Sequence, residues 1–172
     1  MDKLATPLWD YVLRLYAQTA VRGWLQVLMR DYGIDGSLLL CAAYLAQWHR
    51  AIDSADRLHA AGDRAFFQAY RDKLQALQQR QAPSGHPDWS STWNELLLKT
   101  ELQAQQVQLA HLYEKVRLQA WVFMPWPQAL AHNVERLTAE LGLDARAHEH
   151  VRGFIRACEQ LPPDRQGAAS SL

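Results

Sequence analysis

The sequence predicts an all-α protein, a single-domain bundle of about six or seven helices around a central apolar helix, Leu38–Ala46. Three observations predict it. Apolar residues recur at three- and four-residue intervals along nearly the whole chain, the spacing of one helix face. No segment of several residues alternates apolar and polar as a half-buried strand does. The run from Leu38 to Ala46 is apolar on every side, as a helix enclosed by other helices must be.

The elements follow in order. Thr6 before Pro7 reads as an N-cap and first-turn proline. The first helix runs to about Gln18, with Asp10, Arg14 and Gln18 as its polar stripe. Thr19 is expected to cap a second helix that turns Val21, Trp24, Leu25, Leu28 and Tyr32 to one side. Gly33 ends it in the left-handed conformation. Asp35 or Ser37 caps the central helix. Asp53–Ala61 is a short helical piece stopped by Gly62. The next helix places Phe67, Tyr70, Leu74 and Leu77 inward and Gln75, Gln78 and Gln79 outward. Residues 81–88, with Pro83, Gly85 and Pro87, form the clearest loop.

No proline or glycine interrupts the chain from Asp88 to Met124. A continuous helix over about residues 91–123 would be about 50 Å long. A compact domain of this size is about 40 Å across, so the helix must bend, break or project. Pro127 can begin another helix, with Leu130, Val134, Leu137 and Leu141 on one face and Gly142 as its stop. Asp144 caps the last, with Ala147, Val151, Phe154, Ile155 and Cys158 inward and Pro162-Pro163 beyond it. The expected organisation is one helical domain over residues 1–161 and a flexible tail over 162–172.

Composition narrows the function classes. The 172 residues are 49% hydrophobic and 21% charged, enough apolar material for a core and too much for wholesale disorder. Eighteen basic and eighteen acidic residues cancel, which removes the general electrostatic case for nucleic acid or anionic membrane, and no nucleic acid is expected as a partner. Cys41 and Cys158 form no CxxC or Cys/His pattern, so no zinc or redox motif is present. They read as small buried hydrophobes in a reducing compartment. Asp10 and Arg14 break the apolar character of the N-terminal stretch, which argues against a signal peptide. Leu38–Ala46, the longest apolar run, is far short of the about twenty residues a membrane span needs. A soluble cytoplasmic protein without a membrane span is expected.

Two blocks carry a family likeness. The first is Leu8-Trp9-Asp10-Tyr11-Val12-Leu13-Arg14-Leu15-Tyr16, followed by Val21, Asp31-Tyr32-Gly33-Ile34-Asp35 and Leu38-Leu39-Leu40. The second is Leu98-Lys99-Thr100-Glu101-Leu102-Gln103-Ala104-Gln105. Together they resemble a proteobacterial family of small proteins catalogued as a domain of unknown function. The pattern differs here at Gly36-Ser37 and Cys41 around the triple leucine, and at Gln105, where the family carries Glu. The resemblance implies an all-helical bacterial cytoplasmic protein. It brings no activity, cofactor or catalytic residue with it.

Chemical motifs are sparse. GxGxxG, Walker-type, GxSxG and HExxH patterns are all absent. The long helix carries a four-three stripe: Trp93, Leu97, Thr100, Ala104, Val107, His111, Glu114, Leu118, Trp121. On it Thr100, His111 and Glu114 could line a ligand pocket, and His111 with Glu114 could move a proton or ligate a metal; the other reading is that the stripe meets solvent there and the pair is a surface contact. A di-metal bundle needs Glu-x-x-His on two helices, whereas His111-x-x-Glu114 is reversed and single, so no metal and no cofactor is assigned. Glu101 is expected to pair with an arginine if buried. His148-Glu149-His150 point apart around a helix and read as polar surface. Most of the seven tryptophans fall at inward positions, but Trp89 and Trp126 lie beside prolines and are either lids on the core or anchors for a partner. The sequence therefore points to a non-enzymatic protein-binding or adaptor module, acting through a protein partner or self-association. The alternative is a small apolar-ligand binder, or an enzyme, with an aromatic pocket between helices.

Overall fold

The computed structural model describes residues 4–62, 64–78, 80 and 87–161. The all-α class holds. Eight α-helices lie among the described residues: α1 (Pro7–Tyr16), α2 (Thr19–Tyr32), α3 (Gly36–Gln47), α4 (Ala55–Ala61), α5 (Arg64–Gln78), α6 (Pro87–Val116), α7 (Gln128–Thr138) and α8 (Ala145–Glu159). The short piece before Gly62 is a helix of its own, α4, and takes the total past the expected six or seven. The side chains of Gln75 and Gln78, residue Gln79, the loop at 81–86 and the tail from 162 lie outside the described residues.

The end signals act as their chemistry requires. The Thr6 side chain accepts the Trp9 amide at 3.2 Å and Pro7 opens α1. Gly33 closes α2 at φ 64° and Gly142 follows α7 and its 3-10 turn at φ 59°, a region glycine enters without a Cβ clash. Asp144 caps α8 through the Ala147 amide at 2.7 Å. Thr19 is the first residue of α2 and not its cap; Gln18 holds the cap position without a side-chain bond.

Helix α3 is the axis, buried from Gly36 to Ala46 as its unbroken apolar run demands. It is packed against α1, α2, α6 and, most extensively, α7. Helix α8 lies across α2 and reaches α7. Close approach there depends on Gly153, where an added Cβ would come within 2.6 Å of the Trp24 indole. Asn133, fully buried on α7, ties the centre together. Its amide donates to the carbonyls of Ala42 and Arg50 and its oxygen accepts the Ile52 N–H at 2.8 Å. Cys41 and Cys158 are free buried thiols, and burial pushes each up to about 12.

The long helix differs from expectation at both ends. It starts at Pro87, four residues before Ser91, and stops at Val116. The chain then turns, with the Trp121 indole donating to the Val116 carbonyl at 2.9 Å. Val122–Phe123 (β2) pairs antiparallel with Arg50–Ala51 (β1), a two-stranded ladder too short to leave an alternating pattern in the sequence. His49 precedes β1 at φ 56°, and its Nδ1 accepts the Trp126 amide at 3.1 Å.

Candidate functional site

A cleft of about 350 Å³ opens between α2, α5 and α6. Leu25 and Met29 of α2, Phe67 and Leu74 of α5, and Leu98 and Leu102 of α6 supply its apolar wall. Phe67 and Leu74 are buried in place, whereas Leu98 and Leu102 are exposed at the rim. Each arrives by helix spacing: 67, 71 and 74 share one side of α5, and 98, 102 and 105 one side of α6.

Polar groups form the floor. Arg71 holds Asp35 with two parallel hydrogen bonds, Nη2 to Oδ2 at 2.7 Å and Nη1 to Oδ1 at 3.1 Å. The Asp35 side chain is 5% exposed and that of Arg71 27%. The Gln108 amide donates to Asp35 Oδ2 at 3.3 Å. Asp35 also caps α3, accepting the amides of Ser37 and Leu38. Burial alone would raise its carboxyl. The Arg71 hydrogen bond and charge outweigh that, with help from the Leu38 amide and Gln108, and hold it below the ordinary carboxylate value. Arg71 and Gln108 line the cleft and Asp35 stands behind them, an ion pair of fixed polarity at neutral pH in which one residue cements α3, α5 and α6.

At one end of the cleft the Gln105 amide donates to the Tyr16 hydroxyl at 2.7 Å. Burial raises the Tyr16 hydroxyl despite that bond, with Glu101 adding to the rise. Arg22 and Glu101 stand on the exposed rim. Arg22 donates to Thr19 Oγ1 within its own helix at 3.4 Å, at the limit of hydrogen-bond reach.

The residues singled out from sequence are dispersed. Thr100 is half-buried and returns its hydroxyl to the Leu96 carbonyl at 2.7 Å. His111 is half-buried against Phe67, ring centroids 6.3 Å apart. Glu114 is exposed and paired with Arg117 at 2.7 Å. Glu101 and Ala104 reach the cleft; Thr100, His111 and Glu114 do not line it. The physical reason is drift. A strict seven-residue repeat slips about 20° per heptad on a straight helix, so about 60° separates Trp93 from Glu114. Further along α6 the buried positions are Gln108, Leu109, Ala110, Leu112 and Val116 instead. The buried acid that needs an arginine is Asp35, not Glu101. Trp126 is half-buried against the core, and the Trp89 side chain lies outside the described residues. His148 and Glu149 are exposed, while His150 packs between Trp24 and Tyr32 at 5.5 and 5.7 Å. Among the described residues no group of three or more His, Cys, Asp or Glu is placed to hold a metal.

Arg71, Asp35 and Gln108 were the residues the pattern did not single out as a site. A signal existed: Arg71 occupies an inward position between Phe67 and Leu74, and an arginine on a buried stripe needs an acid opposite.

Fold and cleft together define a class: an all-helical protein with an apolar, polar-floored groove. The chain belongs to a family described as a protein of unknown function (DUF2390), whose family model matches residues 7–112. Every residue that lines the cleft falls within that span. No curated protein and no solved structure matches the chain. No helix among the described residues is long and apolar enough to cross a membrane.

Proposed function

We propose that this is a non-enzymatic binding protein whose α2–α5–α6 cleft seats the apolar stripe of a partner's amphipathic helix. The observation that carries the reading is the pairing of a half-open apolar cleft with Leu98 and Leu102 exposed along its rim. Rim leucines left in water favour an occupant that covers them from outside, as a helix laid in a groove does. The polar floor is saturated by its own contacts, so it shapes the groove and offers no free nucleophile or base. Burying a leucine is worth about 1.5–3 kcal/mol, so Leu102→Ala is expected to weaken the partner by about tenfold or more.

A photo-reactive side chain placed at Leu98 tests this in a lysate of the source cells. Cross-links to a helical, i/i+3/i+4-patterned segment that disappear with Leu102→Asp support the reading. Absence of any protein cross-link from a variant with an unchanged circular-dichroism melt refutes it. The second reading, a small amphipathic ligand, is favoured by the cleft volume, which falls among small-molecule sites. Native mass spectrometry of the freshly purified chain distinguishes the two.

A further inference from the structure

The two most exposed large apolar side chains of the described residues, Leu118 and Phe123, are not at the cleft. Leu118 is 76% exposed, Phe123 75% and Val122 57%. All three lie on the segment between α6 and α7, with the half-buried Trp121, Met124 and Trp126 beneath them packed on the core. The segment is held rigidly. Trp121 is pinned to Val116, the Met124 amide donates to the His49 carbonyl at 2.9 Å, and His49 Nδ1 accepts the Trp126 amide. A pinned segment that keeps its apolar side chains in water is an interaction surface and not slack chain.

Its charge surroundings identify the partner. Arg50 faces Phe123 across the ladder. Arg57 lies 5.1 Å over the Trp121 ring, Arg136 donates to the Asp53 carbonyl, and Lys115 precedes Leu118 by one turn. Asp53 and Glu114 are neutralised by Arg57 and Arg117. Arg50, Lys115 and Arg136 have no carboxylate in ion-pair contact among the described residues. Cations therefore ring protruding apolar side chains with tryptophans at their base. A protein partner would need preformed holes for three standing side chains. A fluid bilayer closes around them, takes up the indoles at headgroup depth, and offers anionic lipid to the ring of cations.

We propose that Leu118, Val122 and Phe123, ringed by Arg50, Lys115 and Arg136, dock the chain on an anionic lipid surface. The surface is separate from the cleft and does not rest on what fills it. The test is sedimentation of the full chain with vesicles of equimolar phosphatidylglycerol and phosphatidylcholine, against vesicles of phosphatidylcholine alone. The chain sediments with the mixed vesicles and not with the neutral ones, and high salt releases it. Phe123→Asp and Leu118→Asp, at exposed positions that leave the core intact, each abolish sedimentation. Arg50→Gln weakens binding about fivefold, the share of one basic residue near such a surface. No sedimentation with the mixed vesicles overturns the proposal, as does a Phe123→Asp variant that binds like the parent. A dimer that Phe123→Asp dissolves, without vesicle binding, overturns it in favour of a second copy of the chain.

Discussion

Asp35 is the single side chain whose removal tests how the cleft is built. Three separate structures meet at its carboxylate: the N-terminus of α3, the Arg71 guanidinium of α5 and the Gln108 amide of α6. Breaking a buried pair by deleting one partner costs about 3–5 kcal/mol. Arg71 keeps 27% of its side chain in water, so it can turn outward and recover part of its hydration. That places Asp35→Asn near the low end, about 3 kcal/mol, with an oxygen still available to the cap amides. Asp35→Ala also forfeits the cap, about 1 kcal/mol more. For a chain of this size 1 kcal/mol is about 2–4 °C in Tm, so Asp35→Asn is expected to melt about 6–12 °C lower at pH 7. Because the folded-state pKa of Asp35 is depressed, the stabilisation is complete above the unfolded value of about 3.9. It is lost as pH falls through the lower folded value. The gap between parent and Asp35→Asn should therefore close in strong acid. Urea unfolding followed by circular dichroism at pH 7 and at stepwise lower pH measures both. A difference of less than about 0.5 kcal/mol at pH 7 would refute the argument, since that is the range of an indifferent surface substitution.

Two further substitutions probe the frame that carries the cleft. Asn133→Ala orphans the Ile52 amide and removes a donor from two carbonyls; unsatisfied buried groups cost about 1–3 kcal/mol each, so a loss of about 3 kcal/mol is expected in urea unfolding, and an unchanged midpoint contradicts the assigned bonds. Gly153→Ala drives a methyl to 2.6 Å from the Trp24 ring. Overpacking of about 1–3 kcal/mol exceeds the gain of about 1 kcal/mol from replacing a mid-helix glycine, so the variant is expected to be destabilised, with altered Trp24 fluorescence; a stabilised variant would mean that α8 and α2 slide apart freely.

What could be read from the sequence was local. The caps at Thr6, Asp35 and Asp144 and the stops at Gly33 and Gly142 depend on chemistry within a few residues, and all are present. The central burial of α3 follows from its composition alone. What failed was phase over distance. The stripe through Thr100, His111 and Glu114 assumes a helix that keeps one face inward over many turns, yet α6 is packed against α5, which reaches it as far along as Gln108 and His111, and also against α1, α3 and α4. Its apolar positions therefore serve different neighbours, and Leu98, Leu102 and Val107 end in water while Gln108 is buried. The Asp35–Arg71 pair is separated by 36 positions. Each residue had a sufficient local explanation, as a cap or as one arginine among many, so nothing nearby announced the pair. The β1–β2 ladder was equally illegible, because two residues per strand carry no period.

Helix α6 gives the two surfaces a fixed relation. Leu102 lies on the cleft rim and Val116 at the turn that leads to Leu118. The fourteen steps between 102 and 116 span about 21 Å along a straight helix. Neither surface can approach the other without breaking α6, whose second half is anchored in the core through Leu109, Leu112 and Val116. An occupant of the cleft and a lipid surface under Phe123 would therefore be held about two nanometres apart by a rigid strut. A glycine pair introduced in the exposed stretch of α6 near Gln103 would loosen the cleft and leave the 118–123 segment pinned by its own contacts to Val116 and His49. Cleft binding should then fall while vesicle binding is retained, and a joint loss of both would show that the two surfaces depend on one another through the core.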